Sequence, residues 1–137
     1  HDSFLNLFPT EITVINTQQV SVQNHSYGVG VENYYGLESQ AYDEQVYENP
    51  NLVHVFSAGN SGDKNGDGRF NNITFGNLTG QFKTAKNVLV VGGTNAFNKI
   101  ENKSSKGPAQ DGRVKPEITA MGAGGTSEAA ALVSGSA

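Results

Sequence analysis

Apolar and polar positions along this 137-residue chain fall into short runs that switch between the period of a strand and that of a helix. Ile12-Thr13-Val14-Ile15 and Val20-Ser21-Val22 are β-branched runs bounded by Asn, Gln and Thr, which predicts two strands. From Gly36 to Asn49 the apolar residues Leu37, Ala41, Val46 and Tyr47 recur near helical spacing, and Pro50 stops the pattern. An amphipathic helix is predicted there. Leu52-Val53-His54-Val55-Phe56 is almost continuously apolar, the form of a strand covered on both faces of a parallel sheet. Strand, helix and strand in that order predict a right-handed crossover.

Residues 59–80 are rich in Gly, Asn and Asp and carry no periodic pattern, so they read as a long functional loop. Asn87-Val88-Leu89-Val90-Val91-Gly92-Gly93 predicts another buried strand. Residues 98–116 are polar and contain Gly107-Pro108 and Asp111-Gly112, turn signals that predict a surface excursion. Glu117-Ile118-Thr119-Ala120 reads as a last short strand. Ser127 to Ser134 holds good helix formers behind a Thr-Ser start. The aromatic residues Tyr34, Tyr35 and Tyr42 read as a packing face, and no internal repeat occurs.

Composition narrows the function classes. The chain has 36% hydrophobic and 16% charged residues with 17 glycines, a globular composition with many tight turns. A net charge of −4 without a basic cluster argues against nucleic acid and against an anionic membrane surface. Zero cysteines exclude disulfides, thiolate metal sites and a cysteine nucleophile. No window approaches the roughly 18 apolar residues of a membrane span. His1-Asp2-Ser3-Phe4-Leu5 lacks the form of a signal peptide, so any targeting segment would precede it.

A serine hydroxyl needs a base to take its proton and donors to hold the oxyanion. In Gly124-Gly125-Thr126-Ser127, the glycines would let the backbone approach a ligand, and Ser127 would stand where a helix start favours developing negative charge. Taken alone, Thr126 or Ser127 is as well explained as an N-cap. Ser57-Ala58-Gly59-Asn60-Ser61-Gly62 closes a buried strand, and ligands of parallel α/β sheets bind beyond strand carboxyl ends. Asn60 is therefore either an oxyanion donor or an Asx-turn residue.

Four segments together resemble the subtilases, the subtilisin-like serine peptidases. Ser57-Ala58-Gly59-Asn60 resembles the oxyanion-hole segment of that family, and Gly125-Thr126-Ser127-Glu128-Ala129-Ala130 resembles the segment around its serine. Asn24-His25-Ser26-Tyr27-Gly28 is similar to the strand flanking the non-primed side of the substrate. Ser104 to Pro108 and Asp111 to Ile118 are similar to the stretch before the serine. The resemblance runs from about residue 20 to the end. It implies an α/β, three-layer subtilisin-like fold with a mostly parallel sheet, of which residues 1–137 form one partial catalytic domain.

The resemblance also implies a serine endopeptidase acting on a peptide or protein substrate through an acyl-enzyme at Ser127. Asn60 and the Ser127 amide would stabilise the oxyanion. Ser26, Tyr27 and Gly28 would pair with the substrate backbone, and Ala58 and Gly59 would line the pocket for the residue before the cleaved bond. The family's acid and base segments, the latter His-Gly-Thr-His, are absent from residues 1–137. His25 lies in the substrate strand and His54 in a buried strand, so each reads as a structural residue rather than as the general base. The preceding part of the same domain is thus an expected partner, and residues 1–137 alone are expected to be inactive. Only Met121-Gly122-Ala123 separate Ala120 from Gly124, where the family has a longer loop, so that loop is either deleted or missing from the sequence. Glu128 replaces a common Met and Ala131 a common Pro. The alternative function is a catalytically inactive, subtilase-like peptide-binding or interaction domain.

Asp63-Lys64-Asn65-Gly66-Asp67-Gly68 reproduces the first half of a calcium loop, with Thr74 where the bidentate Glu would stand. Asp63, Asn65 and Asp67 are either a partial site for structural Ca²⁺, which subtilases often carry, or an ordinary turn. Asn72, Asn77 and Asn102 each open an N-glycosylation triplet. Family habit points to an extracellular or cell-surface location.

Overall fold

The computed structural model describes residues 7–64 and 76–137. Its centre is a sheet of four parallel strands in the order β1 (Val22–His25), β2 (Val53–Ser57), β3 (Leu89–Thr94) and β4 (Ile118–Met121). α1 (Ile12–Thr17) precedes β1, α2 (Leu37–Glu48) lies between β1 and β2, a 3₁₀ turn at Gln81–Thr84 lies between β2 and β3, and α3 (Thr126–Ser136) follows β4. The sheet is α/β and all parallel, as the apolar runs at 52–56 and 87–93 predict.

Alternation along β2 and β3 builds three layers. Phe56 and Val90 join Tyr42 of α2 with Leu78, Phe82, Ala85 and Val88 on one face. Val55 and Val91 pack on the other face against Ala129 and Ala130 of α3. Every residue of β2 after Val53 is buried, because a middle strand covered on both faces has no wet side. β4 is an exposed edge strand, with Ile118 and Met121 on the surface.

Several sequence expectations change. Ile12 to Ile15 is a helical turn, not a strand: Ile15 is buried while Val14 faces solvent, so one tertiary contact overrides the β-branched run. The strand expected at 20–22 begins at Val22 and runs through His25, into the motif itself. The α2 boundaries hold, but Leu37 and Tyr47 are exposed, and the helix buries Ser39, Tyr42 and Asp43 instead. These polar residues are satisfied across the interface. Ser39 donates to the Gln81 carbonyl at 2.6 Å, and Asp43 accepts from the amides of Lys86 and Asn87 at 2.6–3.0 Å. Of the aromatic trio, Tyr42 is core, whereas Tyr35 is partly exposed and donates to Asp43 at 2.8 Å.

The polar stretch 98–116 is no simple surface excursion, since Ser104, Ser105, Ala109 and Lys115 are buried. The linker from β4 to α3 closes within Gly122–Gly125, where the Gly125 amide donates to the Gly122 carbonyl at 3.0 Å. A Cβ at Gly122 would come 2.6 Å from the Gly125 carbonyl oxygen. The connection of β4 to α3 is a tight turn.

Both internal histidines sit in a buried polar chain beneath β1. Gln45 donates its amide to the Thr10 carbonyl at 2.7 Å, which leaves its oxygen to accept from His54 Nε2 at 2.9 Å. His54 Nδ1 then accepts from His25 Nε2 at 2.9 Å, and His25 Nδ1 accepts from the Tyr27 hydroxyl at 3.0 Å. One proton order satisfies every group, with both rings neutral. Phe56 stacks on His25 with ring centroids 4.3 Å apart and meets Tyr42 edge-on at 5.0 Å.

Phe56→Ala is expected to cost about 3–5 kcal/mol of unfolding free energy in denaturant titration, since a fully buried ring is removed from the centre of the larger core. A second expectation concerns acid. Burial, with the neighbouring His54 as a smaller cause, lowers His25 from 6.5 to about 3, and burial lowers His54 to about 4. Unfolding therefore takes up protons below the ordinary histidine value. Stability is full above pH 6.5 and falls as pH drops towards 4, by up to about 1.4 kcal/mol per pH unit for each ring. Denaturation measured between pH 7 and 4 checks this, and His54→Gln should flatten the slope.

Candidate active site

The site forms where the carboxyl end of β2 meets the first turn of α3. β2 ends at Ser57, and the chain turns through Gly59 at φ +111° into Asn60. A side chain at Gly59 would lie 2.2 Å from Thr79 Oγ1, so both conformation and space require glycine. On the facing element, Gly125 at φ +142° precedes Thr126, and a Cβ there would come 3.1 Å from Asn60 Nδ2.

Thr126 is the latch between these two ends. It is buried, its hydroxyl oxygen accepts from the Gly59 amide at 3.0 Å, and its own proton goes to Asn60 Oδ1 at 3.2 Å. The Thr126 amide also donates to Asn60 Oδ1, at 3.0 Å. With its oxygen fixed twice, the Asn60 side chain has its Nδ2 hydrogens free, and no acceptor takes them among the described residues. The Ser127 amide also lacks an acceptor among the described residues, as expected for a donor in the first helical turn. Two donors next to Thr126, Asn60 Nδ2 and the Ser127 N–H, are thus unused.

Ser127 is half-buried, and its hydroxyl donates to the Ser26 carbonyl at 3.3 Å, while Ser26 Oγ donates to the Ser127 carbonyl at 3.1 Å. β1 is thereby joined to α3 at the motif, reinforced by Ser134 Oγ donating to Asn24 Oδ1 at 3.1 Å. The Glu128 carboxylate folds back to accept the Gly124 amide at 2.9 Å, capping the turn that leads into the helix. Beside Ser127 opens a cleft of about 230 Å³, walled by Ser26, Tyr27 and Gly28 on one side and Gly59 and Asn60 on the other.

Ser26, Tyr27, Gly28, Gly59, Asn60 and Ser127 therefore converge on one cleft. Ala58 is fully buried and serves through its backbone, whose carbonyl accepts the Thr79 amide at 3.3 Å. Asp63 is exposed and apart from the cleft, and Asn65 and Asp67 lie outside the described residues. Among the described residues no group of three or more His, Asp or Glu side chains gathers to hold a metal. His25 and His54 engage each other, Gln45 and Tyr27, and neither hydrogen-bonds Ser127. Asn77, which opens a glycosylation triplet, is buried, and its amide donates to the Ser61 and Lys64 carbonyls. No glycan can reach that nitrogen in the folded chain.

Sequence reasoning passed over the residues that hold this geometry. Ser105 Oγ accepts the Ser61 amide at 3.0 Å and the Ser105 amide donates to the Gly59 carbonyl at 2.8 Å, bracing the turn from behind. Ser104 Oγ accepts the Gly93 amide at 3.0 Å. Thr79 and Lys83 line the cleft floor, and nothing in their local sequence marks them. Thr126 was visible as an N-cap candidate, yet its partners lie 66 and 67 residues away.

Among solved structures, the chain is similar to the prenylagaramide maturation protease PagA and to a mutant of the protease domain of PatA. Each shares 20% identity and aligns over 90% of this chain and 44% of the other, with a TM-score of 0.59. The chain spans less than half the length of these structures. At that identity the likeness shows a shared fold. No helix among the described residues is long and apolar enough to cross a membrane. The model of the subtilase family matches residues 8–137, nearly the entire chain, which belongs to that family.

Proposed function

We propose that Ser127 is the nucleophile of a serine endopeptidase that hydrolyses peptide bonds. The observation that carries this reading is the fixed Asn60 amide, turned by Thr126 so that Nδ2 and the Ser127 N–H are both left without partners among the described residues, with Asn60 and Ser127 lining one cleft. Donors preorganised in this way act on charge that develops only in the transition state.

Ser127 Oγ attacks the scissile carbonyl carbon as a general base takes its proton, and the carbonyl oxygen becomes an oxyanion held by Asn60 Nδ2 and the Ser127 N–H. The amine leaves with that proton, and water then cleaves the acyl-enzyme by the same steps. At rest the Ser127 hydroxyl is hydrogen-bonded to the Ser26 carbonyl, a contact that must open for attack. The base is a His oriented by an Asp, both supplied by parts of the protein outside residues 1–137. Ser26 to Gly28 would take the substrate backbone as an added strand.

A fluorophosphonate probe on the full-length protein is expected to label Ser127 and to leave Ser127→Ala unlabelled. If the wild type stays unlabelled while a reference serine peptidase in the same assay reacts, the peptidase reading fails and a catalytically silent binding domain takes its place. Asn60→Ala should lower kcat by about 10²–10³-fold with KM little changed, the size of loss that follows removal of one such side-chain donor in subtilisin. Steady-state kinetics separates the two constants.

A further inference from the structure

The cleft beside Ser127 has an unusual floor. Lys83 is fully buried on the 3₁₀ turn, and its ammonium donates to Thr79 Oγ1 at 2.8 Å. That hydroxyl is its sole hydrogen-bond acceptor among the described residues, and no carboxylate lies within 4 Å of it there. The Phe82 ring is 5.7 Å away. A buried cation with one neutral acceptor is costly unless a counter-charge arrives. Burial lowers Lys83 from 10.5 to about 7, which expresses the same deficit.

Both walls of the cleft are glycine where they face this pair. A Cβ on Gly28 would lie 2.4 Å from Thr79 Oγ1 and 3.0 Å from Lys83 Nζ, and one on Gly59 would lie 2.2 Å from Thr79 Oγ1. The absence of side chains at 28 and 59 leaves Thr79 between the walls with Lys83 directly behind it. Lys83 has no solvent-accessible surface of its own, so a ligand meets its charge through Thr79. Because Thr79 Oγ1 accepts from Lys83, its hydroxyl proton is free to be donated into the cleft.

Resting on the peptidase reading above, we propose that this cleft selects an acidic side chain, Asp or Glu, at the substrate residue immediately before the cleaved bond. The substrate carboxylate accepts from the Thr79 hydroxyl, and the ammonium of Lys83 behind it balances the charge. A neutral amide of the same shape forfeits the charge balance, and a lysine or arginine side chain brings a second cation to a buried one.

The test uses the full-length protein and peptides differing only at the residue before the scissile bond: Glu, Asp, Gln, Leu or Lys. Glu or Asp is expected to exceed Gln by at least about tenfold in kcat/KM, with Lys poorest. In Lys83→Met and in the near-isosteric Thr79→Val, the Glu-to-Gln ratio should fall to within about twofold of unity. A general loss of stability would slow both substrates together and leave their ratio in place. If Ser127 labels with the fluorophosphonate but Glu and Gln peptides are cleaved equally or not at all, the acidic pocket is overturned and the peptidase reading stands. Retention of the preference in both variants overturns the role of Lys83 and Thr79. Failure of Ser127 to label removes the foundation of both.

Discussion

The three-centre latch of Thr126, Asn60 and Gly59 is the constraint on which the site depends. One hydroxyl and one backbone amide join the end of β2 to the start of α3, elements 66 residues apart in sequence. The sheet alone fixes β2 against β3, and α3 packs across all four strands. Ala129 and Ala130 are fully buried between α3 and the sheet. The latch ties the first turn of α3 to the turn after β2 at the edge of the cleft. It also orients the Asn60 amide, which would otherwise be free to present its oxygen to the cleft.

How much of this was legible follows from the range of each interaction. β2, β3 and α3 were visible because their apolar runs record burial directly, one residue at a time. Ser127, Asn60 and Ser26 were singled out because the segments around them resemble those of the subtilases, and the structure shows what those segments need locally, glycine at the positive φ of Gly59 and Gly125. The Ile12 run misled because β-branching is a weak local preference that the burial of Ile15 outweighs. The face of α2 misled because Ser39 and Asp43 are buried through hydrogen bonds to residues 81–87, a satisfaction no hydropathy pattern displays. Lys83 was invisible for a related reason: lysine is ordinarily a surface residue, and only the fold shows one beneath the walls of a cleft.

The two layers on either side of the sheet divide the work differently. The face with α3 is small and aliphatic, and it carries the serine. The face with α2 is large and aromatic, and it holds the neutral His25–His54 chain that ends at Tyr27 in the cleft wall. Acid sensitivity of the core and the position of that wall are therefore tied through one side chain. The loop at 103–105 braces the same region from the third direction, holding the turn after β2 against the sheet's carboxyl edge.

Thr79 shows how such a fold separates what it keeps from what it can vary. Its backbone amide and carbonyl stitch the two cleft walls together, to Ala58 on one side and Val29 on the other. Its side chain, with Lys83 behind it, forms the floor. A lineage could therefore exchange residue 79, or residue 83 behind it, and redraw what the cleft accepts while the seam that sets the spacing of the walls stays sewn by peptide groups that every amino acid except proline provides. The backbone seam thus holds the spacing of the walls, while the side chains of residues 79 and 83 fill the space between and behind them.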